Sequence, residues 1–527
     1  MKPIPFLALA MALACGSVDD RPDCSTSADC PVGLYCAHTA DGNVCWEDAV
    51  DPEVGPVTVA CATPCARDGE LTVSATVTDD VEVFQVVASL DLDPSVEVPL
   101  ARVGTTSTYQ GQVDLAAYPF PRFSRDVVAS VIARDGARNA VTVSAQDENV
   151  KTVTRLRWSI PVDADVAGII GSPPAVSADG TVIVGGSNGT LYFISGDQER
   201  GTPLTVATGV PISQAPSIGE SAIWVVAGST AYALSTADGS KLNGDAGCAL
   251  GADALGPIAV AIGTTPETGF VVPASNALRA VFANTSTCVQ SPVVGPPPDF
   301  ATSGSIDSAG NLLVVRNGPA LRSFAFAGAF VESPLATLTG TYEVPPSIEA
   351  ADGAWLGTAD TTSSKLQLVT AAGSVEAPIP LGASVRSQIA VLAGGDVVVS
   401  EGSYLSRFSP SGVARWDPAP QLDGVGLTPM VLSDGATTFF LVPTRNGRVN
   451  LVGGDGTLEW GGVLGSGSAL LEGNLHTPPG SSLSYAYFTS ADGKLHQVVV
   501  DGRLDTSAPW PKAWHDPRNT GNAAAGF

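Results

Sequence analysis

Positive charge, histidine and methionine are scarce in this chain. Against 52 Asp plus Glu stand only 26 Lys plus Arg, with four His and three Met among 527 residues. The resulting formal charge of -26 repels phosphate backbones and anionic headgroups, which excludes nucleic acid as a partner and favours solubility. Long apolar runs are missing after the first fifteen residues, so no helical membrane span is expected. Catalytic signatures are missing too: no Gly-x-Ser-x-Gly elbow, phosphate loop or His-Glu-x-x-His helix occurs. No ligand-type Cys-x-x-Cys occurs, and no two cysteines adjoin. The acidic pairs in "DADVAG" and "DLDPSV" start like calcium loops but do not continue through the other ligand positions, so both read as acidic turns. The expectation is no catalytic residue, no metal and no cofactor.

What the chain does have is glycine and proline, 57 and 40 of them, among abundant Val, Ser, Thr and Ala. That mixture suits many short strands joined by turns, and the length requires more than one domain. From about residue 155 the chain repeats itself. Units such as "SPPAVSADGTVIVGGSNGTLYFIS" and "QAPSIGESAIWVVAGSTAYALST" open on a small or Pro-containing strand, turn to an apolar strand, and turn again. Eight openings are expected at Pro174, Pro216, Pro257, Gly304, Pro346, Ser387, Pro429 and Pro478, spaced by 41 to 49 residues. That period fits the four-stranded blade of a β-propeller better than the shorter coil of a solenoid. "LRW" (Leu156 to Trp158) matches "ARW" and "LEW", which end later units. It is expected to be an outer strand that pairs with the last blade and closes the ring. Expected overall is an all-β chain with an eight-bladed propeller over 153–512.

Several stretches carry resemblances to known families. "SADGTVIVGGSNGTLYFIS" and "STADGSKL" resemble PQQ-like propeller repeats, shared by quinoprotein dehydrogenases and outer-membrane assembly lipoproteins. The dehydrogenases' adjacent cysteines and haem motif are missing, so the resemblance implies the fold and argues against that enzyme. At the N-terminus Lys2, "PIPFLALAMALA" and "ALACG" resemble a bacterial lipoprotein signal, with Leu13 one place nearer the cysteine than usual. The resemblance implies a signal over 1–14, lipidation at Cys15, a tether over 15–23, and an outer-membrane address. Residues 24–45 resemble small Cys-rich modules of surface lipoproteins. Residues 57–146, with "LTVSATVTD" and "VIARDGARNAV", resemble bacterial immunoglobulin-like modules that act as spacers, after a linker over 46–56.

Removing Cys15 leaves eight cysteines in local groups: Cys24, Cys30, Cys36 and Cys45; Cys61 and Cys65; Cys248 and Cys288. An exported chain can pair them all. Connectivity of the first four stays open. Cys61 and Cys65 staple the start of the second module, and Cys248 and Cys288 join blades two and three.

The densest chemistry is "WPKAWHDPRNTGN", Trp510 to Asn522, within a tail over 507–527. Pro511 and Pro517 bar a regular helix or central strand. The string resembles tail motifs of the form Trp-Pro-x-x-x-His-Asp-x-x-x-Thr-Gly on PQQ-like propellers. It reads as a latch at the seam of the first and last blades, with Trp510 and Trp514 buried, His515 and Asp516 diverging, and Asp516 paired to Arg518. Of the other histidines, His38 lies in the Cys-rich module, while His476 and His496 lie in the last blade. His476 is expected to open an inner strand and to bond locally.

The functional expectation is a monomeric, non-enzymatic binding or scaffolding platform. It meets the membrane only through its lipid and takes a protein or polysaccharide partner. The alternatives are an assembly factor for outer-membrane proteins and a sensor or enzyme with a ligand in the central channel.

Overall fold

The computed structural model describes residues 22–40, 42–275, 277–292 and 299–526; Cys15 and the targeting segment lie outside them. No described helix is long and apolar enough to cross a membrane. The chain divides into two compact units. One comprises the chain up to Cys65 with Gly69–Pro119 and Asp126–Val153; the other comprises Ala66–Asp68, Phe120–Arg125 and Thr154–Phe527.

The first unit opens on a hairpin, Leu34–Thr39 against Gly42–Glu47, with Cys36 directly opposite Cys45. Disulfides join Cys24 to Cys36 and Cys30 to Cys45 instead of closing that facing pair. A segment this short cannot bury enough apolar surface to order itself, and the sulfurs form most of its small core. Cys61 and Cys65 are joined further on. Two antiparallel sheets follow. One holds Glu53–Val54, Thr58–Ala60, Glu70–Thr78, Thr108–Asp114 and Ala101–Arg102; the other holds Ala140–Ser144, Ala129–Asp135, Val83–Leu90 and Asp93–Pro99. Strict alternation along Glu70–Thr78 puts Leu71, Val73, Ala75 and Val77 inside and leaves Thr76 and Thr78 exposed.

The second unit is a propeller. Eight antiparallel sheets succeed one another, each with a short inner strand: Ala175–Val176, Ser217–Ile218, Ala259–Ala261, Ser305–Ile306, Ser347–Ile348, Ala390–Val391, Met430–Ser433 and Asn474–His476. They are numbered sheets 1 to 8 in that order. Every second strand is buried on both faces, which explains runs such as "AIWVVA". Ile223 and Val225 pack toward sheet 1, while Trp224 and Val226 pack toward sheet 3. Shared apolar clusters of this kind link sheets 1 to 8 in succession and then link sheet 8 back to sheet 1 through Tyr487, Leu495, Val176 and Val184. The ring is therefore closed by packing. It is also closed by chain, because Leu156–Pro161 is the outermost strand of sheet 8, with Ser159 opposite His496.

One opening differs from the sequence expectation. In sheet 8 the inner strand is Asn474–His476, so His476 ends it, and Pro478 and Pro479 lie beyond. Proline donates no hydrogen bond, and two in a row suit the turn that follows a strand better than the strand itself. Cys248 and Cys288 sit on the outermost strands of sheets 2 and 3 and are joined.

Candidate functional site

Inner strands of a propeller leave one edge facing the axis. Those N–H groups need acceptors, since an orphaned buried donor costs about 1–3 kcal/mol. Here the tail supplies them. Val176, Ile218, Val260 and Ile306, one on each of sheets 1 to 4, donate to the carbonyls of Pro517, Arg518, Thr520 and Gly521 at 2.7–2.8 Å. On sheets 6 and 7, Val391 donates to Trp510 O at 2.9 Å and Val431 to Pro511 O at 2.8 Å. Asn474 of sheet 8 donates through Nδ2 to Pro517 O at 2.7 Å. Sheet 5 contributes Ile348 to the apolar cluster that encloses Trp510. The tail therefore fills the axis, bonds to seven of the eight sheets, and shares an apolar cluster with the other.

The tail does join the seam, since Pro517 O takes Val176 N of sheet 1 and Asn474 Nδ2 of sheet 8. It also reaches beyond the seam, through its bonds to sheets 2, 3, 4, 6 and 7. Trp510 is fully buried, as a latch tryptophan should be, whereas Trp514 is only half-buried and its backbone N–H donates to Gln388 Oε1 at 2.8 Å. His515 and Asp516 do not diverge: His515 Nδ1 lies 3.4 Å from Asp516 Oδ2. Trp514 and His515 have φ of 56° and 72°, in the left-handed region that residues other than glycine seldom adopt. Asp516 does not pair with Arg518 either. It accepts from Thr520 Oγ1, and Arg518 donates to Gly526 O. The His515 and Asp516 side chains are closed from solvent, so they form no accessible acid–base pair.

Sequence reasoning missed the residues that organise this core. Lys512 Nζ donates to Ala513 O, Asp516 O and Asn519 Oδ1 at 2.6, 3.0 and 2.9 Å. Burial pulls its pKa down to about 7, against the pull of Asp516 and Glu472 toward the charged form. Asn519 Nδ2 donates to Pro174 O and Pro216 O, and Asn522 Nδ2 to Val260 O. Glu472 is half-buried and takes Thr428 N and Oγ1 at 3.1 and 2.9 Å; desolvation raises its pKa. Burial also works against the Asp516 carboxylate, but bonds from His515 and Thr520 and nearby positive charge outweigh it and lower its pKa. The available signal was the pairing of two asparagines, Asn519 and Asn522, around Thr-Gly.

Recesses flank the tail at both mouths of the axis. One, about 130 Å³, lies beside Gln388, Thr428, Glu472 and Trp514. The other is a cleft of about 630 Å³ lined by His476, Pro478, Leu504, Arg503, Pro517 and Arg518. Burial lowers the pKa of His476 there, with Asp179 pulling the other way. Arg503 stays exposed and donates to Ser481 O at 2.6 and 2.9 Å. The acidic turns behave as expected: Asp163 caps Asp165 and Val166, and Asp93 caps Ser95. His38 bonds Asn43, and His496, its pKa lowered to about 4 by burial, bonds Ser490.

No protein-family model matches the chain, and no curated protein does. Among solved structures it is similar to BamB from Moraxella catarrhalis, at 16% identity, covering 65% of this chain and 98% of that chain with a TM-score of 0.48. It is similar to Saccharomyces cerevisiae Sqt1, at 12% identity, covering 65% of this chain and 98% of that chain with a TM-score of 0.49. The Dos1 propeller shares 10% identity, covering 66% of this chain and 95% of that chain with a TM-score of 0.48. These are likenesses of fold.

Proposed function

We propose that the chain is a monomeric, non-enzymatic binding platform of the cell envelope, anchored through Cys15. On this reading residues 24–45 and an immunoglobulin-like spacer carry the propeller away from the outer membrane. The observation that supports it is the filled axis. A ring whose channel is taken by its own tail offers a partner its face loops, and the cleft of about 630 Å³ beside Pro517 is a concavity there. In a chain of net charge -26, two arginines at that cleft favour a protein or polysaccharide that presents carboxylates. The four disulfides fit an oxidising compartment, and the acidic surface disfavours nucleic acid.

Crosslinking in intact cells followed by pull-down is the test, run on wild type and Arg503→Glu. One discrete crosslinked partner, weakened by the charge reversal, is the expected result. Recovery of the protein alone would overturn the platform reading. Equal crosslinking of both forms would move the contact away from the cleft.

A further inference from the structure

Three aspartates in the first unit converge without sharing a sequence motif. Asp48 follows the second strand of the disulfide hairpin, and Asp79 and Asp80 occupy the turn between Glu70–Thr78 and Val83–Leu90. One carboxylate oxygen from each lies within 4.8 Å of the other two. Backbone N–H groups hold the first two in place by one oxygen only. Asp48 Oδ1 accepts from Val50 N at 3.0 Å; Asp79 Oδ2 accepts from Val81 N at 3.0 Å and Glu82 N at 2.8 Å. The remaining oxygens, Asp48 Oδ2 and Asp79 Oδ1, are buried and have no hydrogen-bond partner. Asp48 is only 6% exposed, so its unpartnered oxygen is not rescued by bulk water.

That arrangement is costly unless something positive joins it. Two carboxylates ~5 Å apart repel by about 3 kcal/mol even at an effective dielectric of 20, and each orphaned buried oxygen adds its own desolvation cost. Burial, with the charges of Asp135, Asp79 and Asp80, raises the pKa of Asp48. The nearby Asp135 is not a fourth member. Both its oxygens are taken by Asn139, whose Nδ2 also donates to Asp48 O at 3.0 Å and fixes the backbone there. The other group of potential ligands, Cys24, Cys30 and Cys45, is committed to disulfides.

We propose that Asp48, Asp79 and Asp80 bind a calcium ion, which ties the chain leaving the disulfide hairpin to the turn that joins the two sheets. The donor set is all oxygen, which selects a hard cation over zinc or copper. Calcium–oxygen bonds of about 2.3–2.6 Å place any two ligands of one ion no more than ~5 Å apart, and this cluster meets that limit. Magnesium, with bonds near 2.0–2.1 Å and a strict octahedron, needs tighter spacing. Three side chains leave the other positions to water or backbone carbonyls. The affinity therefore belongs to the weak class of extracellular modules, roughly 10⁻⁴–10⁻³ M.

The test uses the full mature protein, stripped with chelator and titrated with calcium chloride by calorimetry and thermal unfolding. Magnesium chloride and sodium chloride at matched ionic strength report generic screening of the acidic surface. Wild type should bind about one calcium per chain and melt higher in calcium than in magnesium. Asp79→Asn and the exposed-site variant Asp80→Asn should each lose about tenfold or more in affinity. Asp80→Asn removes no internal hydrogen bond found here, so it keeps the test valid if the others fold poorly. No calcium-specific signal in wild type would overturn the proposal. So would undiminished binding in the Asp79→Asn and Asp80→Asn proteins, which would put the ion elsewhere.

Discussion

Lys512 is fully buried, and its three ammonium donors meet three oxygens: Ala513 O, Asp516 O and Asn519 Oδ1. With a folded pKa of about 7 against about 10.4 unfolded, the unfolded chain binds more protons between those values. Stability should therefore rise with pH above about 7, by up to ~1.4 kcal/mol per pH unit for one proton. Below pH 7 the cost of the buried charge is fully present. Glu472 has the opposite sign: its raised pKa gives stability that is lost as pH rises from the ordinary carboxylate range upward. Urea unfolding from pH 7 to pH 9 should show the midpoint increasing in wild type. Lys512→Met should flatten the slope and lower the whole curve, because three buried acceptors lose their donor at about 1–3 kcal/mol each. A flat wild-type curve would mean that the ammonium keeps its charge in the ring.

At the scale of elements, the disulfide between Cys248 and Cys288 spans two outermost strands, each of three residues or fewer. It closes a loop of 40 residues, worth up to about 4 kcal/mol in the chain-entropy model. Replacing both cysteines by serine should lower urea stability by a sizeable part of that and raise protease cutting in sheets 2 and 3. An unchanged midpoint would show that apolar packing alone holds those rims. Element by element, the propeller was legible because each second strand is buried on both faces and so carries a continuous apolar run in the sequence. The closing strand was legible through its tryptophan. Trp158 Nε1 donates to Gly196 O of sheet 1, just as Trp416 Nε1 donates to Gly454 O of sheet 7, so "LRW" and "ARW" are one device. The tail was not legible as an axial filler. The donors to its carbonyls are single N–H groups on strands mostly two or three residues long, and a free edge leaves no mark in residue type. Asp48, Asp79 and Asp80 were hidden for another reason: about thirty residues of chain separate Asp48 from the other two, and only the fold brings them together.

At the scale of the molecule, the ring's stability is tied to the tail. Sheets in a circle each lean on two neighbours, and the tail adds a bonded partner shared by seven of them. Removing residues 507–527 takes away Trp510, a buried side chain worth roughly 3–5 kcal/mol. It also takes away six backbone bonds from Val176, Ile218, Val260, Ile306, Val391 and Val431, each worth about 1 kcal/mol net. Water entering the opened axis can satisfy some of those N–H groups, so the bonds count for less than their sum. Even so, the loss is comparable with the whole stability of an ordinary domain, about 5–15 kcal/mol. The truncated protein should melt far below wild type, if it folds at all. Trp510→Ala should reproduce a large part of the loss, and Trp514→Ala, half-buried, a smaller part. A synthetic peptide of residues 505–526 added back should raise the melting temperature in a concentration-dependent way, because a ligand that binds only the folded ring stabilises it by mass action. Equal melting temperatures for truncated and intact protein would show that the inter-sheet clusters suffice. The axis would then be free to open, and a ligand in the channel would become the better reading of the fold.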